Sequence, residues 1–243
     1  MTELPVADVQ ARRGGERAHA WAAQSMFDRI APTYDRLNRL LSVGIDARWR
    51  ARAIDALAGS PSGAVLDLCA GTMDLSALLH RARPDDRIVA LDFSASMLEA
   101  GRHKAPRAEV IVADASDLPF GDQTFAAVLC AFGMRNLADL ARGLHEVRRI
   151  LRPGGVFVTL EFFRPDRAVT RAFHAAYARL VLPTVGGLVS GDRGAYAYLA
   201  RSIARFFTRE QYERAVRDAG FESLSSLDLT WGVASIVRGE APR

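Results

Sequence analysis

The sequence lacks any apolar run that approaches the ~20 residues a membrane-spanning helix requires. Its N-terminus also lacks the apolar core of a secretory signal peptide. We therefore expect a cytoplasmic protein that is not integral to a membrane. With 243 residues, of which 49% are hydrophobic, the chain is long enough to bury the core of one large domain.

Cysteine is scarce: the chain has two, Cys69 and Cys130, and each lies inside an apolar run. Their separation is not that of a metal-binding cysteine pair, and isolated thiols need no oxidising compartment. We therefore expect two buried thiols and no metal site.

Net charge is only +4, but it is unevenly distributed along the chain. Residues 12–52 contain nine arginines and four acids, and residues 171–217 contain eight arginines and three acids. Solvated arginines on helix surfaces are one explanation of these two basic segments. The other is a basic rim that meets an anionic membrane surface. We expect no nucleic-acid partner, because no aromatic and basic binding signature accompanies the charge.

From residue 63 onward, short apolar segments alternate with amphipathic ones. Apolar segments of this length predict strands, and the amphipathic segments between them predict helices. The predicted strands are Ala64–Cys69, Arg87–Leu91, Ala108–Val112, Ala126–Ala131 and Val156–Glu161, and the predicted helices are about Leu75–Arg83, Ala95–Lys104 and Leu137–Leu151. This order is typical of a doubly wound α/β fold, whose ligands bind at the carboxyl ends of parallel strands.

The C-terminal part departs from this alternation. After a helix near Arg209–Ala219, the segments Ser223–Leu229 and Val233–Val237 are joined so briefly that they can pair only as an antiparallel hairpin. We therefore predict a mostly parallel, seven-stranded sheet that ends in this hairpin.

The remaining segments complete the predicted organisation. Residues 1–16 are polar and aperiodic, which indicates a disordered lead-in. Residues 17–58 have an interrupted helical pattern and are predicted to form an N-terminal lid on the main domain, residues 59–243. Within that domain, the apolar and aromatic stretch at about 171–207 indicates an insertion that covers a substrate.

Acidic residues occur at or near the ends of the first three predicted strands. Asp67 lies in the first strand, four residues before Gly71, while Asp92 follows the second strand and Asp114 the third. Glycine lets a ligand approach the backbone, and an acid after the second strand can accept hydrogen bonds from both ribose hydroxyls. The loop has too few glycines for a dinucleotide fingerprint. The three acids nevertheless predict a nucleotide-binding site.

Longer motifs make the nucleotide specific. The spacing of the acids resembles that of class I S-adenosylmethionine-dependent methyltransferases, which have a Rossmann-like fold. Several stretches between residues 24 and 238 resemble one family of that class, the ubiquinone/menaquinone biosynthesis C-methyltransferases. These stretches are Met26–Asn38, Leu41–Arg50, Phe132–Asn136, Ser190–Asp192, Ala195–Ile203 and Ala219–Phe221. Each is weak alone, but together they are colinear over most of the chain.

The resemblance implies an S-adenosylmethionine cofactor and a set of site residues. Those that would bind the cofactor are Asp67, Gly71, Thr72, Asp92, Asp114, Ala115, Ala131 and Tyr34. Tyr34 would close the pocket as part of the lid, and Ala131 stands where the family often has serine. Arg135 and Asn136, after the fourth strand, would be catalytic.

The implied reaction is methyl transfer to a ring carbon of a reduced prenylated quinone precursor, either demethylmenaquinol or the benzoquinol of the ubiquinone pathway. Arg135 would stabilise the phenolate that forms when a ring hydroxyl loses its proton, and Asn136 would hold a ring oxygen or an activating water. Alternatively, Arg135 pairs with a structural acid and Asn136 caps the next helix. A lipophilic quinol also implies transient contact with the inner face of the cell membrane or with other enzymes of the pathway.

Two other functions stay open. One is a methyltransferase of the same fold that acts on another hydrophobic phenolic acceptor. The other is a catalytically weak scaffold of a quinone-synthesis complex, which rests on Met73 standing where the family has glycine. We expect a negative φ at Met73, with its flexible side chain turned away from the cofactor.

Overall fold

A seven-stranded sheet is the centre of the fold in the computed structural model, which describes residues 25–165, 171 and 193–243. The strands are β1 (Val65–Leu68), β2 (Ile88–Asp92), β3 (Glu109–Val112), β4 (Phe125–Ala131), β5 (Leu151–Glu161), β6 (Glu222–Leu229) and β7 (Ala234–Glu240). The helices are α1 (Tyr34–Ser42), α2 (Ile45–Asp55), α3 (Asp74–Ala82), α4 (Ala95–Gly101), α5 (Leu140–Ile150), α6 (Arg193–Arg205) and α7 (Arg209–Asp218). None of these helices is long and apolar enough to cross a bilayer.

The strand order is β3-β2-β1-β4-β5-β7-β6. Strands β1 to β5 are parallel, and β7 runs antiparallel to both β5 and β6. Chain order reverses between β1 and β4, which is where the carboxyl ends of a doubly wound sheet leave a crevice. The predicted fold class, with its C-terminal hairpin, is confirmed.

Both faces of the sheet are covered, which explains why the central strands are apolar throughout. Every residue of β1 and β2 is buried. Leu66 packs with Val128 and Phe157 in one core cluster, whereas Val65 packs with Leu79 in the cluster on the other face. Parallel strands buried on both faces form continuous hydrophobic runs of this kind.

The predicted boundaries differ from the structure mainly at α5 and β5. Helix α5 begins at Leu140 because the Asp139 side chain accepts a hydrogen bond from the Arg142 N–H at 2.9 Å. The suggestion that Asn136 caps this helix is therefore wrong. Strand β5 begins at Leu151, five residues earlier than predicted, although its register with β4 is irregular there.

The N-terminal part of the described chain is helical. Residues 25–30 are helical, a 3-10 turn follows at Ala31–Thr33, and α1 and α2 come next. The predicted lead-in, residues 1–16, lies outside the described residues. So does most of the predicted insertion at 171–207, of which the structure describes chiefly α6.

The turn between β1 and α3 contains one backbone feature that was predicted wrongly. Met73 has a φ of +62°, in the left-handed region, rather than a negative φ. Its N–H donates to the Ala70 carbonyl at 2.8 Å, which closes a tight turn at the start of α3. The side chain is fully buried in the core cluster with Leu79 and Leu98.

This burial predicts the effect of Met73→Gly on stability. Removing a large buried side chain costs about 2–5 kcal/mol, whereas relief of a left-handed backbone returns only ~1–2 kcal/mol. We expect the free energy of unfolding to fall by roughly 2 kcal/mol, which is the difference between the midpoints of these two ranges. Urea unfolding monitored by circular dichroism measures it. Met73→Leu, which keeps volume and backbone, should cost less than about 1.5 kcal/mol. A Met73→Gly variant as stable as the parent would contradict this packing argument.

Candidate functional site

A cavity lies at the carboxyl ends of β1 to β4, beside the point where strand order reverses. The open space within it, counted together with its mouth, is about 760 Å³. The wall is formed by the ends of four strands and by Phe27 and Tyr34 of the N-terminal helical segment, residues 25–58, which is called the lid below. Seven residues selected from the sequence line it: Tyr34, Gly71, Asp92, Asp114, Ala115, Ala131 and Asn136.

Asp92 is the buried carboxylate of this cavity. Its two oxygens accept hydrogen bonds from the backbone N–H groups of Gly71 and Ser94, both at 2.9 Å. Burial raises the pKa of Asp92 to about 6, although these hydrogen bonds oppose the shift. Each oxygen keeps further acceptor capacity, so the carboxylate can bind a pair of hydroxyl donors that enters the cavity.

The wall on either side of Asp92 is built to let a ligand approach closely. Gly71, at a φ of +52°, presents bare backbone to the cavity. Asp114 follows β3 and accepts from the Ser116 N–H at 2.8 Å, so its carboxylate is oriented by its own turn. Ala115 and Ala131 contribute small apolar surface.

Two of the residues predicted to bind the cofactor lie outside the cavity wall formed by the described residues. Asp67 is buried behind it and accepts a hydrogen bond from the Ser76 hydroxyl at 2.5 Å, which ties β1 to α3. Burial raises the pKa of Asp67 to about 7. The Thr72 hydroxyl donates to the Asp35 carboxylate of α1 at 2.5 Å. Both side chains hold the loop around Gly71 rather than facing the cavity.

Arg135 and Asn136 separate into different environments. Arg135 lies against a neighbouring, wider cavity between Met134 and α6, and its guanidinium pairs with the buried Glu161 carboxylate at 2.6 Å. Burial raises the pKa of Glu161 despite this partner. The alternative in which Arg135 pairs with an acid therefore describes the structure. Asn136 does line the cavity, and its side-chain oxygen accepts from the Tyr198 hydroxyl at 3.0 Å.

The cavity also has aromatic walls that the sequence reasoning missed. Phe93, directly after Asp92, and Phe27 of the lid both line it, with their rings 6.2 Å apart. The sequence offered one indication of this wall, because Phe93 directly follows Asp92 at the end of β2. Phe27 further contacts the ring of Tyr198 at 6.3 Å, so the lid and α6 meet above the cavity.

Cys69 was predicted to be a buried thiol, but it is half-buried and lines the cavity. A hydrogen bond with Cys130, together with burial, raises the pKa of the Cys69 thiol well above its ordinary value. The thiol is therefore protonated near neutral pH and is a poor nucleophile. Among the described residues, no cluster of histidine, cysteine or acidic side chains has the arrangement of a metal site.

Comparison with known sequences places this site in a family. The model of the ubiE/COQ5 methyltransferase family matches residues 15–240. The demethylmenaquinone methyltransferase of Thermus thermophilus is 43% identical over 221 residues, which cover 89% of this chain and 100% of that protein. The ubiquinone/menaquinone biosynthesis C-methyltransferase UbiE of Geobacter sulfurreducens is 41% identical over 224 residues, covering 89% of this chain and 87% of that one.

Solved structures share the fold at lower identity. An S-adenosylmethionine-dependent methyltransferase of Thermotoga maritima, described as a possible histamine N-methyltransferase, has a TM-score of 0.66 at 20% identity and covers 90% and 99% of the two chains. The cyclase SpnF has a TM-score of 0.67 at 17% identity, with coverage of 92% and 97%. Geranyl diphosphate C-methyltransferase of Streptomyces coelicolor, solved with S-adenosylhomocysteine, has a TM-score of 0.59 at 15% identity, with coverage of 81% and 79%.

The fold likeness alone leaves the chemistry open, because one of these neighbours is a cyclase. The sequence relatives are far closer, and the family model spans the lid, the sheet and the C-terminal hairpin. The chain therefore belongs to the ubiE/COQ5 methyltransferase family.

Proposed function

We propose that the chain transfers a methyl group from S-adenosylmethionine to a ring carbon of a reduced prenylated quinone precursor, with demethylmenaquinol as the first candidate. The names of the relatives support this reaction. The observation that carries it is the buried Asp92 carboxylate, with spare acceptor capacity, at the wall of a cavity that is otherwise mainly apolar and aromatic.

The residues of the cavity fit the adenosine part of this cofactor. A buried carboxylate next to a bare glycine backbone suits a ribose diol, and the Asp114 turn with Ala115 suits an adenine amine and ring face. Tyr34 and Phe27 of the lid would cover the bound cofactor. When bound, S-adenosylmethionine supplies an electrophilic sulfonium methyl group. The chain's contribution is to align the acceptor with that group and to exclude water.

On the acceptor side, we assign the direct contact to Asn136 and a positioning role to Arg135. A carbon nucleophile requires the electron density that a quinol gains when one of its ring hydroxyls loses its proton, so the acceptor must be reduced. Asn136 lines the cavity and can hold a ring oxygen. Arg135 already neutralises Glu161, so it offers a developing phenolate much less stabilisation than an unpaired arginine would.

The structure removes the support for the alternative function, a catalytically weak scaffold, because that hypothesis rested on Met73. Met73 is buried in the core beneath the loop and does not enter the cavity, so its departure from the family pattern leaves the binding wall intact. The remaining question is the acceptor. Mass analysis of lipid extracts from a deletion strain tests it: accumulation of the demethylated quinone supports the proposal. An unchanged quinone pool, with loss of another methylated phenol, would overturn it.

A lipophilic quinol also needs a route from the bilayer, and the rim of the site provides a candidate surface. The turn that joins β6 to β7 lies at the carboxyl edge of the parallel strands, because Ser235 pairs with Glu161 at the end of β5. Trp231 in this turn is 89% exposed. The Trp49 indole of α2 donates to Thr230 at 3.0 Å and thereby ties the turn to the lid.

The lid contributes the rest of this surface. Val43, between α1 and α2, is 92% exposed, and Leu40 is 47% exposed. Val43 and Trp231 both have positive φ values, +52° and +57°, so the backbone holds two large apolar side chains in solvent at a conformational cost. Arg36, Arg39 and Arg48 are exposed on the same segment. Exposed apolar side chains and exposed arginines on one segment suit an anionic lipid surface, and we propose a peripheral contact there.

The first prediction of this function concerns Asp92. Charge-assisted hydrogen bonds contribute about 1.5–3 kcal/mol each, so Asp92→Asn should weaken S-adenosylmethionine binding at least ~10-fold. Hydroxyl donors favour the ionised carboxylate, so wild-type affinity should fall as pH drops below about 6 and level off above it. The variant should lack this dependence. Calorimetric titration between pH 5 and 8 measures both effects.

Asp85→Asn is the matched control, since Asp85 is an exposed residue in the loop before β2, at the opposite edge of the sheet. The Asp85→Asn variant should bind S-adenosylmethionine with the same affinity as the wild type at every pH. Equal affinities for Asp92→Asn and the wild type would remove Asp92 from the cofactor site.

The second prediction concerns Asn136. Loss of a group that holds a ring oxygen should lower kcat by about 100-fold in Asn136→Ala, with cofactor affinity changed by less than about threefold. Tyr198→Phe keeps Asn136 but removes its hydrogen-bond donor, so its kcat should fall less, by roughly three- to tenfold, equivalent to ~1 kcal/mol. Single-turnover kinetics with a short-chain quinol separates these effects. A loss confined to cofactor binding would show that Asn136 has a different role.

The third prediction concerns the rim. The double variant Val43→Asn with Trp231→Asn should reduce co-sedimentation with anionic vesicles by about tenfold or more, because each apolar side chain is worth ~1.5 kcal/mol or more when buried. Asparagine tolerates the left-handed backbone at both positions. Val112→Asn, at an exposed residue of the edge strand β3, should bind as the wild type does. Vesicle binding that survives both substitutions would overturn this surface, and binding to a pathway enzyme instead would point to a protein partner.

A further inference from the structure

Lys104 stands out because it is the only lysine in a chain with 31 arginines. It ends the 3-10 turn Arg102–Lys104 that follows α4, and its ammonium group lies between two carboxylates. One belongs to Asp74, the first residue of α3, with the Nζ and Oδ1 atoms 2.7 Å apart. The other belongs to Asp35 of α1, in the lid.

Asp35 is the point at which the lid meets the loop of the nucleotide cavity. Besides Lys104, its carboxylate accepts a hydrogen bond from the buried Thr72 hydroxyl at 2.5 Å. Thr72 follows Gly71, which lines the cavity, and Tyr34, immediately before Asp35, lines the cavity from the lid side. The Asp35 carboxylate thus connects the lid to the loop after β1. Each of the two bonded residues, Asp35 and Thr72, is the sequence neighbour of a residue that lines the cavity.

The chemistry of lysine suits this junction. Its ammonium group is a compact charge with three donors that rotate freely, so it can contact two carboxylates from different helices at once. Without it, Asp74 would keep only the Arg50 guanidinium, 3.9 Å away, and the two carboxylates would face each other with no cation between them. The Lys104 side chain is 17% exposed and the two carboxylates are about one-third exposed, so water can replace these contacts without disturbing the buried sheet. Such contacts open far more readily than the core unfolds.

A second tether holds the other end of the lid. The Ser94 hydroxyl donates to the Asp28 carboxylate at 2.6 Å, and Phe27 beside it contacts Phe93. Release of Asp35 alone would therefore let Tyr34 swing from the cavity while the lid stays attached near Asp28. The contacts of Lys104 therefore bear on the position of Tyr34, whereas Phe27 is held by the second tether.

We propose that Lys104 is a positioning residue that latches the lid: with Asp74 it fixes Asp35 against Thr72, keeps Tyr34 over the cavity, and controls how fast the cofactor and its product exchange. The proposal rests on the proposed function, because it takes this cavity as the cofactor site. Lys104 contacts Asp35 and Asp74 and is assigned no contact with a reacting atom. Its loss should change ligand exchange rather than the methyl-transfer step.

Because the chain has one lysine, its labelling reports directly on the latch. Acetylation with an N-hydroxysuccinimide ester, followed by peptide mass spectrometry, gives the rate at which Lys104 becomes accessible. Saturating S-adenosylhomocysteine should slow this rate at least fivefold, and Asp35→Asn should increase it severalfold. Ligand-independent labelling of Lys104, in protein that calorimetry shows to bind S-adenosylhomocysteine, would overturn the latch and leave the proposed function standing. Absence of binding would overturn both.

Exchange kinetics supply the second arm of the test. Lys104→Met should increase the dissociation rate of S-adenosylhomocysteine about tenfold in stopped-flow displacement, while the single-turnover rate at saturating cofactor changes by less than twofold. Lys104→Arg should recover part of the slow dissociation by keeping the charge. Arg102→Met, at an exposed residue of the same turn, is the control and should behave as the wild type. Unchanged dissociation in Lys104→Met, or a loss confined to the single-turnover rate, would contradict the positioning role.

Discussion

The hydrogen bonds from Gly71 and Ser94 to the Asp92 carboxylate are the contacts on which the rest of the site depends. The bond from Gly71 joins the loop after β1 to the end of β2, which the parallel order of the sheet brings to the same edge, and the bond from Ser94 orients the carboxylate within its own turn. Burial makes the ionised carboxylate costly, and the two backbone donors offset only part of that cost. A ligand that donates further hydrogen bonds therefore gains more here than at an exposed acid.

The second constraint is the connection between this edge and the lid. Two carboxylates of the lid, Asp28 and Asp35, bond to hydroxyl groups that belong to the β2 and β1 loops. The lid is thus fastened to the same loops that carry Asp92 and Gly71. On the other side, Tyr198 of α6 contacts both Asn136 and Phe27, so the cofactor wall and the acceptor wall share neighbours.

Much of the fold could be predicted from the sequence because its central strands are buried on both faces. Continuous apolar runs located β1 to β5 in the right order, and most strand ends lie within two residues of the predicted ones. Acids at strand ends marked Asp92 and Asp114 correctly as cavity residues, since topology alone brings those ends together.

Roles that depend on tertiary partners could not be predicted in this way. Asp67 carries the same motif signal as Asp92, yet it bonds to Ser76 behind the wall. The buried Glu161, which forms the ion pair with Arg135, is 26 residues away in the sequence. The two side chains are neighbours in space only because β4 and β5 pair. At Met73, core burial holds a methionine in a left-handed backbone, which local preference opposes.

The proposed reaction is methyl transfer from S-adenosylmethionine to a ring carbon of a quinol. The most direct test incubates purified protein with S-adenosylmethionine carrying a labelled methyl group and a short-chain demethylmenaquinone, either reduced or oxidised. We expect a labelled product only from the reduced form, with fragmentation in mass spectrometry locating the methyl group on the ring carbon. Label on an oxygen atom, equal transfer to the oxidised form, or no transfer to either would contradict it.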